Sequence, residues 1–134
     1  MENKSFRLVY LTGRSYPDKI QYQADVNLYV NGNVRLNYNI EYYFSSEYNI
    51  GPEIDISFPD PYINDPDGDL GLDECNKFFI DFCIGQLDMK YQEGDTPICY
   101  VNLKHEWTVD NFQSFIEDLV SVLNDELESM KEDL

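Results

Sequence analysis

The sequence predicts an α+β fold, one antiparallel sheet of about five strands with two amphipathic helices packed on its apolar face. Two observations carry this. Much of the first sixty residues alternates apolar and polar side chains with a period of two, the pattern of strands with one buried face. Two later stretches repeat apolar residues at spacings of three and four, the pattern of helices with one buried face. The order is β-β-β-β-α-β-α, with no internal repeat and no low-complexity linker, so residues 1–134 read as a single acidic domain.

The first strand is Phe6–Leu11, entered by Lys4-Ser5 and ended near Gly13. Ile20–Val30 and Val34–Phe44 form the clearest pair, a hairpin across Asn31-Gly32-Asn33. A three-residue loop sets Val30 opposite Val34, Leu28 opposite Leu36, Val26 opposite Tyr38 and Tyr22 opposite Tyr42, all on one face. Asn and Gly tolerate the left-handed backbone such a turn needs. Glu53–Phe58 alternates again and reads as an edge strand with its acids outward. Pro59-Asp60-Pro61 ends it, because proline supplies no ladder donor. Cys75, Phe78, Phe79, Phe82, Cys83 and Leu87 then share a helical face, with Gly85 weakening the last turns. Ile98–Leu103 is a short, apolar strand suited to the sheet interior. In the final helix Phe112, Ile116, Leu119, Val120, Leu123, Leu127 and Met130 form a stripe, with Thr108 as N-cap and Trp107 placed to staple onto Phe112.

Charge is the second theme. The chain holds 26 acidic and 9 basic side chains, a formal net charge of −17. Such a charge opposes an unaided grip on DNA, RNA or an anionic membrane. No apolar run approaches the roughly 20 residues that span a bilayer. Hydrophobic content of 43% and aromatic content of 15% are too high for a disordered acidic tail. Between Arg35 and Lys77 lie ten acids and no base. Three cysteines, Cys75, Cys83 and Cys99, give no disulfide framework. Met1–Tyr10 has no signal-peptide pattern, and the two together point to a reducing, cytoplasmic setting.

Catalytic and metal signatures are wanting. Cys75 and Cys83 sit eight residues apart on one helix, a rise of about 12 Å, too far for two thiolates on one zinc. Cys99 and His105 are separated by about 20 Å of strand, too far for a nucleophile and its base. No Gly-rich phosphate loop, HExxH or GxSxG occurs, so the chain is read as a non-enzyme without cofactor or metal. Asp65, Asp67 and Asp69 resemble the opening of an EF-hand calcium loop. Leu70 stands where that loop needs glycine, however, and Asn76 where it needs a bidentate glutamate. A calcium- or small-ligand-binding domain built on Asp65–Asp69 is the alternative reading. A structural subunit whose charge serves solubility is another.

The favoured reading is a binding domain. Its candidate contact residues are Glu53, Asp55, Asp60, Asp65, Asp67, Asp69, Asp73 and Glu74, then Glu117, Asp118, Asp125 and Glu128 on the final helix. Tyr29 and Tyr43 join them from the polar face of the hairpin, since tyrosine gives large contact area at low entropy cost. Ordinary solvated helix faces mix signs, and this one does not. Carboxylates on a folded scaffold can occupy a phosphate-binding groove by pairing with its Arg and Lys. The expected partner is therefore a protein with a basic surface, a nucleic-acid-binding enzyme or toxin. In size and charge the chain resembles nuclease immunity proteins, anti-restriction DNA mimics and anti-CRISPR proteins, which implies an inhibitor acting as a nucleic-acid mimic.

Overall fold

In a computed structural model, residues 3–63 and 65–132 are described, the last three as backbone alone. The chain runs β1 (Lys4–Ser15), β2 (Lys19–Val30), β3 (Asn33–Ser45), β4 (Ile50–Ser57), α1 (Leu72–Leu87), β5 (Lys90–Gln92), β6 (Ile98–Asn102) and α2 (Val109–Glu132). The fold class is the expected α+β. All six strands join one sheet in the order β1-β2-β3-β4-β6-β5, every neighbouring pair antiparallel.

The alternation in β2 and β3 is what builds the core. Tyr22, Ala24, Val26, Leu28 and Val30 are buried, as are Leu36, Tyr38, Ile40 and Tyr42, while the residues between them face away. Leu28 pairs with Leu36, Val26 with Tyr38 and Tyr22 with Tyr42, as expected. The turn itself differs. Val30 pairs with Asn33 and Tyr29 with Val34, so the loop is Asn31-Gly32 alone, both at positive φ. Two such residues give the tight turn whose twist matches the strands. One extra residue, Arg35, is then absorbed as a bulge before the long register resumes. Val34 consequently stands 52% exposed and not against Val30.

Two further expectations are corrected. The strand β4 is interior, paired with β3 on one side and with β6 on the other. Alternation reports that one face is buried, and it carries no information about which strands lie alongside. The sixth strand, β5, is three exposed residues long and left no periodic signal. Ile98–Asn102 does lie inside the sheet, between β4 and β5.

Both helices cover the face that bears Tyr22, Tyr38 and Tyr42. Phe79 of α1 meets Phe6, Tyr38 and Phe58 at ring distances of 5.6, 4.8 and 5.2 Å. Asn76 on the same helix is 7% exposed, accepting from the Tyr38 hydroxyl at 2.6 Å and donating to the Pro59 carbonyl at 2.8 Å. A buried amide with both ends satisfied fixes the azimuth of α1 on the sheet.

The start of α2 is a reciprocal cap. The Asn111 amide donates to Thr108 Oγ1 at 3.2 Å, and the Thr108 amide donates back to Asn111 Oδ1 at 3.1 Å. Trp107 takes different ring partners from the one expected, stacking on Tyr42 and tilting against Phe115, while Phe112 packs on Tyr22 and Tyr42. The indole is held there because its backbone amide donates to the Tyr42 hydroxyl and its carbonyl accepts from Tyr22. Phe112, Ile116, Leu119, Leu123 and Leu127 are buried as the stripe predicts; the Met130 side chain lies outside the described residues. Beside this stripe, Asn124 accepts from the Phe6 amide at 2.8 Å and donates to the Phe6 carbonyl at 2.9 Å. That side chain fills the ladder position a further strand would take, which closes part of the β1 edge.

Candidate interaction surface

One face of the sheet carries both helices, so most exposed residues of α1 and α2 lie in one layer on the side away from the strands, while Asp73 and Lys77 turn toward the corner after β4. That layer is nearly of one sign. The two helices together hold ten acids and two lysines, Lys77 and Lys131. Glu117, Asp118, Asp125 and Glu128 are all exposed, as are Asp73 and Glu74 in the first turn of α1. Asp60, Asp67 and Asp69 are exposed on the connection that leads into α1. Placing the Phe112–Leu127 stripe on the sheet sends the acids outward together, since positions between a helix's apolar stripe face solvent.

The opposite face of the sheet has a different character. Arg7, Asn27 and Asn37 lie in one cross-strand row; Thr12, Gln23, Glu41, Asp55, Tyr100 and Lys90 lie in another. Asn37 donates to Asn27, Asn39 donates to Asp25, and the Arg7 guanidinium sits 4.8 Å above the Tyr29 ring. Tyr29 and Tyr43 are half-buried in this network, and Glu53 and Asp55 share the face with them. The candidate residues are thus divided between two opposite faces that one flat partner cannot cover at once.

Glu53 and Asp55 are crowded. Burial, then the neighbouring Glu53 charge and hydrogen bond, then Glu41, push the Asp55 carboxyl up to about 7. A carboxyl raised in the folded state binds its proton there more tightly than when unfolded. Its contribution is therefore favourable at low pH and is lost as pH rises from about 4 through about 7. Asp55→Asn should remove that loss. We expect the variant to exceed the parent in Tm at pH 8 and to converge with it near pH 4, measured as paired thermal melts. Equal differences at both pH values would show that Asp55 is ionised without penalty.

Asp65 departs from the rest of the set. It is 5% exposed, and its carboxylate accepts from the Leu70 amide through both oxygens at 3.1 Å and from the Leu72 amide at 3.4 Å. The Gly68 amide closes the turn onto the Asp65 carbonyl. Gly68 and Gly71 take positive φ, which lets the chain double back around the carboxylate and enter α1. Asp65 thus organises the loop and is withdrawn from any contact surface. The first acid that a calcium loop would use is engaged by backbone amides. Asp65→Asn should cost about 1.5–3 kcal/mol, the range for hydrogen bonds to a charged group, whereas Asp67→Asn and Asp69→Asn should leave stability unchanged or slightly raised. Urea denaturation of the three single variants measures the contrast.

Among the described residues no group of three or more His, Cys, Asp or Glu side chains is placed to hold a metal ion. All three cysteines are buried thiols outside any disulfide. Cys83 and Cys99 meet across the α1–sheet interface, and the hydrogen bond between them, with burial, pushes the Cys83 thiol up. No described helix is long and apolar enough to cross a membrane. Sequence reasoning read Asn76 only as a failed calcium-loop position and missed Asn124, yet these polar residues fix both helices in place; each is a lone amide interrupting or flanking an apolar stripe, a weak signal but a readable one. Compared with protein-family models, characterised proteins and solved structures, the chain matches none.

Proposed function

We propose that the chain is a small acidic binding protein that inhibits a protein partner by occupying its basic, nucleic-acid-binding surface, in the manner of an immunity, anti-restriction or anti-CRISPR protein. It acts in the cytoplasm, without catalysis and without a cofactor. The single observation that supports this is the helical layer, where exposed carboxylates of α1 and α2 point one way with almost no cation among them. Arrayed carboxylates on a rigid scaffold offer charge-assisted pairs to arginines and lysines that otherwise bind phosphates. Their summed field also speeds encounter with a positive surface. The sheet face, where Arg7, Arg14 and Lys90 lie among Asp25, Glu41 and Asp55, offers no such uniform field.

The test uses purified basic nucleic-acid-binding proteins, among them nucleases and restriction enzymes, offered to the immobilised chain with and without duplex DNA. Binding should weaken steeply with salt and be competed by DNA. Glu117→Gln, Asp118→Asn, Asp125→Asn and Glu128→Gln together should slow association by about tenfold or more at low salt. Stability should be unchanged or slightly raised, because exposed like charges repel. Glu53→Gln with Tyr29→Phe and Tyr43→Phe, on the far face, should have little effect. If the helix variant binds as tightly as the parent at low salt, electrostatic mimicry is wrong, and loss confined to the far-face variant would transfer the contact to the sheet.

A further inference from the structure

Beside the first turns of α1 a cavity of about 600 Å³ opens between the corner that follows β4, the flank of α1 and the loop before β6. Its volume falls within the roughly 300–1,000 Å³ of small-ligand sites. Among the described residues Asp60, Asp73 and Asp95 line it against a single cation, Lys77. The rings of Tyr62 and Tyr91 stand in its walls, 53% and 38% exposed. Those walls are held from behind. The Phe58 amide donates to the Pro97 carbonyl at 2.9 Å, Asn76 donates to the Pro59 carbonyl, and the Tyr62 amide donates to Asp60 Oδ1 at 2.9 Å. The cavity is therefore preformed, which spares a ligand the ordering cost of binding.

We infer that this cavity takes the guanidinium of an arginine side chain presented by the basic partner, an assignment that rests on the function proposed above and names the contact it uses. Three carboxylates against one ammonium call for a cation. Two tyrosines beside those carboxylates offer aromatic surface to a planar group that also donates in its own plane, which a guanidinium does and a strongly hydrated ammonium does not. Tyr62 stands in that field: the Asp73 charge first, then burial, its hydrogen bond to Asp73, and the Asp60 and Asp65 charges push its phenol up. Hydrogen bonds from Tyr62 to Asp60 and Asp73 do not cancel their charge, so a neutral occupant would leave three carboxylates facing one lysine once water is displaced.

The probe is the capped peptide acetyl-Gly-Arg-Gly-amide, titrated into the isotopically labelled protein and followed by amide chemical shifts. Lysine and citrulline versions serve as controls, citrulline keeping the planar shape without the charge. Saturable shifts centred on Tyr62, Asp73, Lys77, Tyr91 and Asp95 are expected with arginine, with affinity lower by about tenfold or more for citrulline. Asp95→Asn, at an exposed loop position, should cause a several-fold loss while leaving the thermal melt in place. Shifts spread over α2, absence of saturation, or equal affinity for lysine or citrulline would overturn the assignment. The peptide carries one charge and samples the cavity, which shares Asp73 with the helical layer but none of the α2 carboxylates. If basic proteins bind as proposed and the peptide does not, the cavity assignment alone is lost; if the peptide binds and basic proteins do not, the inhibitor reading alone is lost.

Discussion

Phe79→Ala is expected to cost about 3–5 kcal/mol, the range for removing a fully buried aromatic ring. Phe79 is completely buried and joins three parts of the fold, meeting Phe6 and Phe58 nearly edge-on at 87° and 88° and Tyr38 at 34°. Those contacts tie α1 to the first strand, to the centre of the sheet and to the corner after β4. The hole left by alanine cannot be filled by backbone shifts, because Asn76 one turn earlier is pinned to Tyr38 and Pro59. In urea the midpoint should fall with little change in slope, since the surface exposed on unfolding stays nearly the same. Ile84→Ala, on the exposed side of the same helix, is the control and should shift the midpoint by less than about 1 kcal/mol. Similar midpoints for the two variants would mean that α1 is not anchored through its ring cluster.

Leu123→Ala should cost about 2–5 kcal/mol, and for a different reason. The side chain is fully buried in the middle of the α2 stripe, adjacent to the Asn124 amide that grips Phe6. The exposed face of this helix is rich in carboxylates, with Gln113 donating to Glu117 Oε1 at 2.9 Å. Asp118, Asp125, Glu126 and Glu128 repel one another, and opposite-charge pairs at i,i+4 that steady many surface helices are lacking among the described side chains. Its order depends on docking. Chemical denaturation followed by circular dichroism should show a lower midpoint, with helical signal and sheet signal lost together. The same substitution should weaken binding of a basic partner, because the carboxylates of α2 are aligned only while the stripe is seated. A midpoint equal to the parent's would show that α2 holds its place without Leu123.

These two residues also mark what local spacing reveals and what it does not. Leu123 belongs to a stripe that needs only spacing to recognise, and Phe79 lies on the predicted face of α1. Leu28 with Leu36 and Tyr22 with Tyr42 can be paired from alternation alone, because strand period and loop parity constrain which side chains share a face. The failure at Val30 and Val34 lies where a two-residue Asn31-Gly32 turn and a bulge at Arg35 produce nearly the same register as a three-residue loop. Both solutions satisfy the same alternation, so the pattern could not choose between them.

Spacing and composition alone were therefore enough for the local periods, the α+β class, the buried faces of both helices and the preponderance of acid. Each follows from neighbours within a few residues or from composition. The tertiary structure alone decided that β4 is interior, because β6 returns beside it some forty residues later in the chain. It alone turned Asp65 inward while leaving Asp67 and Asp69 outside, since that depends on where the Leu70 and Leu72 amides come to lie. It also divided the acids, sending those of α1 and α2 to one layer and Glu53 and Asp55 to the opposite face. Charge has no period and no local partner requirement, so a list of carboxylates does not reveal which of them share a surface; only the packing of the apolar stripes beneath them does that.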